Sequence, residues 1–120
     1  MPTPDDPVLP VVRDHITAFN AGDVDALVAG FAEDAVFAAQ DDVVVGRRAL
    51  RPFFAESFAG GVRATLEIHR AVVDGDTAAC ELVESLEVGG ARHVLHVAAF
   101  YTVRAGQLAR VRIYRDLPGV

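Results

Sequence analysis

The sequence predicts an α+β domain, with three N-terminal helices packed on a strongly curved, mainly antiparallel sheet. Three observations carry that expectation. From Thr77 to Asp116 the residues alternate with a period of two, broken by glycines at Gly89, Gly90 and Gly106. That is the pattern of antiparallel strands, not of helices. Apolar residues ahead of this stretch recur at helical spacing instead, and helices followed by a large sheet gather on one side of it. The strand-like runs are also long, so twist and bulges are expected in place of a flat ribbon.

Residues 1–7 hold three of the six prolines and read as a flexible leader. A single domain is expected over residues 8–117. Val8 to Ala21 reads as a helix with Val8, Val12, Ile16 and Phe19 on one stripe and His15 beside it. Gly22 suits the closing position and Asp23 the cap of a second helix, whose buried face would be Val24, Leu27, Val28 and Phe31. Glu33 and Asp34 would end it. Ala35 to Ala39 and Val43 to Val45 read as short extended runs about a turn at Gln40, Asp41 and Asp42. A third helix follows Gly46 and runs from Arg47 to Phe58, with a late start expected because Pro52 is tolerated only near a first turn. Val62 to Val73 alternates as a strand, and Asp74, Gly75 and Asp76 turn the chain into the final meander.

The composition narrows the function. Hydrophobic residues make up 52%, which excludes a disordered chain, and the net charge of −6 argues against general nucleic-acid binding. No apolar run approaches membrane-spanning length, and the first residues lack a signal-peptide pattern, so a soluble cytoplasmic protein is expected. The lone Cys80 sits on the apolar parity of its strand and reads as a buried small hydrophobe. His93 and His96 are three apart on a strand and point to opposite faces, so they make no metal pair. Neither a metal nor a cofactor is expected. The face of the sheet away from the helices also needs a use, and a homodimer through it is expected if that face is as apolar as Val97, Ala99 and Val103 suggest.

Four stretches carry a resemblance: Phe19–Asp23 (FNAGD), Phe31–Phe37 (FAEDAVF), Gly46–Leu50 (GRRAL) and Gly106–Asp116 (GQLARVRIYRD). In order and spacing they resemble the nuclear transport factor 2-like superfamily, and within it the SnoaL-like branch of polyketide cyclases, ketosteroid isomerases and limonene-epoxide hydrolases. The resemblance implies a cone-shaped fold with a pocket between helices and sheet, usually in a homodimer. Such a pocket would be lined by Phe19, Phe31, Phe37, Ala39, Phe54, Phe58, Leu82, Val111 and Ile113, and would take a small hydrophobic molecule. The catalytic sets carry over poorly. The isomerases' oxyanion tyrosine falls on His15 and their general-base aspartate on Ala39, with Asp41 reachable only by a slip of register. The arginine and two aspartates of the hydrolases fall on Leu82, Glu84 and Ile113. Asp116 matches a common aspartate that closes the strand end.

Glu84 is the most informative single residue. It interrupts the apolar parity between Leu82 and Leu86, where a carboxylate is costly unless it is paired or faces a wet cavity. Facing a pocket, it would suit proton transfer, with His96 or His15 as partner. In the last strand Ala109, Val111 and Ile113 are expected inside, which turns Arg110 and Arg112 outward. Three readings follow: a cofactor-free acid/base enzyme with Glu84, His96 and His15 as candidate catalytic residues; a binding domain without the catalytic set; and a structural domain filled by its own phenylalanines.

Overall fold

The computed structural model describes residues 7–115, so most of the expected leader lies outside the described residues, as do Asp116 and Leu117. Three helices, α1 (Val8–Ala21), α2 (Val24–Ala29) and α3 (Arg47–Ala59), accompany six strands. The strands are β1 (Phe31–Ala39), β2 (Asp42–Val45), β3 (Val62–Asp74), β4 (Thr77–Val88), β5 (Ala91–Arg104) and β6 (Gln107–Arg115). They form one sheet in the order β2-β1-β6-β5-β4-β3.

This sheet corrects the expected curvature. It is open and mixed, not a strongly curved cone: β2 and β3 remain its two edges, and β1 runs parallel to β6 at its centre. The 14 residues of β5 would span roughly 45 Å when extended. The longest dimension of the molecule is 42 Å, comparable with that length. The ladder shifts register between Ile68 and Arg70, between Thr102 and Val103, and between Phe31 and Val36. Such irregularities bend a strand locally, and the sheet nonetheless stays open at both edges.

The helices pack on one face. Val8, Val12, His15, Ile16 and Ala18 are the buried stripe of α1, which lies against β3 to β6, while α3 lies against β1 to β3. Gly22 closes α1 at φ 64°, and the Asp23 carboxylate caps α2 by accepting from the N–H of Ala26 at 3.1 Å. Helix α2 is shorter than expected. Phe31 continues its apolar spacing, but Gly30 ends the helix and Phe31 opens β1, which also contains Glu33 and Asp34. Helix α3 starts at Arg47, earlier than Pro52 suggests. Local bonds from Ala49 and Leu50 to the Gly46 carbonyl begin the helix, and two tertiary contacts fix that start: the Gly46 N–H donates to the Ala35 carbonyl, and the Arg47 guanidinium donates to the Phe31 carbonyl. Pro52 then costs the helix one internal hydrogen bond.

Alternation sorts the sheet residues. Ala78, Cys80 and Leu82 of β4, Val111 and Ile113 of β6, and Phe37 of β1 are buried beneath the helices. So are Val97, Ala99 and Val103 of β5, which corrects their expected place on the outer face. That face instead carries Val94, His96, Ala98 and Phe100. Arg110, Arg112 and Tyr114 are outward and exposed as well. A ladder of aromatic contacts joins the layers, from Phe19 to Phe58 at 5.6 Å, Phe58 to Phe54 at 6.3 Å and Phe54 to Phe37 at 5.3 Å.

The β5–β6 turn holds Ala105 at φ 52° and Gly106 at φ 77°. Two positive values suit the twist of a two-residue hairpin, but an alanine there is strained by about 1 kcal/mol or more. Ala105 is exposed, so Ala105→Asn should raise stability by roughly 0.5–1 kcal/mol in urea unfolding. No gain would mean that the turn relaxes the strain in another way.

Candidate functional site

Glu84 lies on the helix-facing side of β4 with only 2% of its surface exposed. Its partner comes from two strands away. Arg115 continues the inward parity of Val111 and Ile113, and donates through Nε to Glu84 Oε1 at 2.8 Å and through Nη2 to Oε2 at 3.3 Å. The two-point geometry offsets much of the cost of removing the carboxylate from water. Among the described residues the guanidinium has no other acceptor, and the Arg115 side chain remains 29% exposed. Its N–H groups without an acceptor among the described residues are the donors this pair can offer to another molecule. The Arg115 carbonyl in turn accepts from Gln40 Nε2 at 3.4 Å.

A cleft of about 520 Å³ opens between the C-terminal ends of α1 and α3, the start of β3 and the β4–β5 turn. Phe19, Phe58, Val62 and Ala64 supply apolar wall, and Asn20, Arg63 and Glu87 supply polar edge. The volume lies within the range of small-molecule sites, roughly 300–1,000 Å³. Asn20 fixes the opening: its Nδ2 donates to the Leu66 carbonyl at 2.8 Å and its Oδ1 accepts from the Leu66 N–H at 2.7 Å. One side chain thus satisfies both backbone groups of a residue on the sheet edge. Leu66 is opposite Glu84 in the ladder and is the next inward residue after Ala64. The carboxylate consequently lies about 7 Å further along the strands than the cleft wall at Ala64.

The other expected site residues are dispersed. His15 is buried in α1, with its ring 5.4 Å from Phe31 and 5.6 Å from Tyr101. Tyr101 is opposite Ala78, six residues before Glu84 on β4, which puts His15 and Glu84 on the order of 20 Å apart. His96 is opposite Val83 on the outer face, where it lines a groove of about 460 Å³ together with His69, Glu81, Tyr114 and Arg115. Phe19 and Phe58 line the cleft, whereas Phe31, Phe37, Ala39, Phe54, Leu82, Val111 and Ile113 are buried in the core. Asp116 lies outside the described residues. The structure thus unites Glu84 with Arg115, not with a histidine. Parity with Ile113 was the signal that could have found Arg115.

Burial alone lowers the pKa of His15 to about 4, and its Nδ1 has no hydrogen-bond partner among the described residues. The buried Tyr101 hydroxyl has none either, and its pKa is raised, first by burial and then by Cys80. Burial also lifts the Cys80 thiol to about 11, which leaves it protonated and a poor nucleophile. No group of three or more His, Cys, Asp or Glu among the described residues is placed to hold a metal ion. No described helix is long and apolar enough to cross a membrane.

A family model described as a SnoaL-like domain matches residues 12–111. A candidate polyketide cyclase from Xanthomonas campestris is 28% identical, with a TM-score of 0.80 over 90% of this chain and 89% of the other. A second, from Pseudomonas putida, is also 28% identical, with a TM-score of 0.75 over 89% and 90%. An epoxide hydrolase of the limonene-epoxide-hydrolase-like kind from Mycobacterium tuberculosis is 24% identical, with a TM-score of 0.80 over 89% and 80%, and bears on the fold alone. No curated protein matches the chain in sequence.

Two outcomes follow from the buried groups. The His15 pKa is depressed from 6.5 in the unfolded chain to about 4 in the fold, so its contribution is fully present above pH 6.5. Stability should fall as the pH drops from 6.5 towards 4, by up to about 1.4 kcal/mol per pH unit. Urea unfolding of His15→Phe across that window should lose this part of the slope, and an unchanged slope would refute the assignment. Removing one member of the ion pair, as in Arg115→Met, should cost about 3 kcal/mol by stranding the carboxylate. Glu84→Leu with Arg115→Met should recover most of that loss, and strict additivity of the two changes would show that they act independently.

Proposed function

The chain belongs to the SnoaL-like domain family, and from that premise we propose that it binds a small, mostly apolar molecule carrying a carbonyl or similar acceptor oxygen. The buried Glu84–Arg115 pair carries this reading: Glu84 lies one inward row along the strands from the cleft wall at Ala64, and Arg115 also lines the groove that holds His96. Phe19, Phe58 and Ala64 would cover the apolar body of the ligand, and the N–H groups of Arg115 without an acceptor among the described residues would meet its oxygen. Both Glu84 oxygens already accept from Arg115, so Glu84 acts first as a positioning residue for the guanidinium. A second copy of the chain on the outer sheet face completes the proposal, supported by exposed Val72, Val94, Phe100 and Tyr114.

Acid/base catalysis of the isomerase or cyclase type is the second reading. The candidate polyketide cyclases at 28% identity favour it. Arg115 would polarise a carbonyl, and Glu84 would take the proton from the adjacent carbon on a lone pair that Arg115 leaves free. His15 is too distant from Glu84 to share a substrate proton with it, and His96 faces away from Glu84 while lining a groove with Arg115.

The deciding experiment is a thermal-shift and calorimetric screen of apolar ketones, lactones and epoxides against the wild-type chain and Arg115→Met, with far-UV melts to check that the variant is folded. Affinity for a hit should fall about tenfold in Arg115→Met, one charge-assisted hydrogen bond's worth. Equal affinity would remove Arg115 from the site. Turnover of a hit, lost in Glu84→Gln while binding persists, would favour catalysis over binding alone.

A further inference from the structure

His15 is a buried polar side chain that the Arg115 site does not use. It is only 6% exposed, and neither ring nitrogen has a hydrogen-bond partner among the described residues. Nδ1 is enclosed, in a ring that stands edge-on to Phe31 and Tyr101. Nε2 keeps some accessible surface, and His15 lines a crevice of about 180 Å³. A buried polar group without a partner is costly, and a molecule in that crevice is in a position to supply one.

The crevice lies between α1, α2 and the β5–β6 turn. Val11 and Ala18 of α1, Ala26 of α2, Gly30 and Gly106 wall it, and the exposed Asp14 borders it. None of these residues lines the cleft beside Phe19, and Gly106 and Gly89 are at opposite ends of β5. The walls are small and apolar. An apolar cavity of about 150 Å³ holds one benzene ring, so this crevice has room for a single ring with a small substituent.

The polar edge narrows the chemistry further. Burial holds the His15 pKa down to about 4, so at pH 7 the ring is neutral and Nε2 offers one donor or one acceptor, according to its tautomer. A hydroxyl meets either tautomer, because it can accept or donate. Water is poorly suited, since a buried water needs several polar partners and these walls are mostly apolar. The Asp14 carboxylate beside the crevice disfavours an anion. We propose that this crevice is a second binding site, separate from Arg115, for a small neutral ring that carries a hydroxyl, such as a phenol. The hydroxyl meets His15 Nε2, and the ring packs against Val11, Ala18 and Ala26.

NMR titration of the full-length chain with phenol, benzene and benzoate tests this, with the histidine ring nitrogens assigned. Phenol should bind at least about fivefold tighter than benzene, one hydrogen bond's worth, and at least about fivefold tighter than benzoate. It should shift His15 Nε2 and the Ala26, Gly30 and Gly106 amides. Ala26 is exposed, so Ala26→Leu should keep the fold while filling the crevice, and weaken phenol by at least about fivefold. In His15→Phe, shown by far-UV melts to be folded, phenol and benzene should bind within about twofold of each other. Phenol no tighter than benzene in the wild type, or benzoate as tight as phenol, overturns the proposal. So does an Ala26→Leu chain that binds phenol undiminished, a set of shifts confined to Gly89 and Arg115, or no saturation at tens of millimolar phenol.

Discussion

A carboxylate on the buried face of a sheet has to keep a cation within reach, and much of this structure depends on Glu84 doing so. Its partner is on β6, not on the adjacent β5, so the pair spans three strands. A slip of one residue in either ladder would turn Glu84 or Arg115 to the opposite face and strand the other. The pair thus specifies register as well as contributing energy.

The second constraint is Asn20, which joins the helix layer to the edge of the sheet. A long edge strand with free N–H and C=O groups invites pairing with another chain. Asn20 occupies both groups of Leu66 on β3, and the irregularity between Ile68 and Arg70 interrupts the strand just beyond. The same two bonds hold the end of α1 against β3 and so define the width of the cleft beside Phe19. Edge protection and cleft geometry are served by one side chain.

Much of this was legible in the sequence, because period-two alternation with glycine turns is local information. The strands of the meander, the inward placement of Ala78, Cys80, Leu82 and Ile113, and the outward arginines of β6 all follow from it. The misreadings share a physical origin in ambiguity or in distance. Phe31 fits the helical stripe of α2 as well as it fits a strand, and only Gly30 breaks the tie. Both faces of β5 are apolar, so Val97 and Phe100 offer no contrast from which to choose an inside. The parallel pairing of β1 with β6 joins segments some seventy residues apart and leaves no local trace. Long strands suggested strong curvature because only local twist was considered, whereas closure depends on how the edges pair, and β2 and β3 stay at the two edges of an open sheet.

Where the pieces of the pocket ended up decides between its uses. Phe31, Phe37 and Phe54 fill the core between α3 and β1, so the space left for a ligand is displaced towards the ends of α1 and α3. Near that space the chain places a charge pair in which each Glu84 oxygen accepts one hydrogen bond from Arg115, and Arg115 has no other acceptor among the described residues. A general base needs a free lone pair aimed at its proton, and each Glu84 oxygen keeps one beside its bond to Arg115, so a ligand must be posed with its proton on it. A recognition site needs only N–H groups that a ligand oxygen can reach. Binding therefore comes first in the physics of this site, and catalysis would require that further pose.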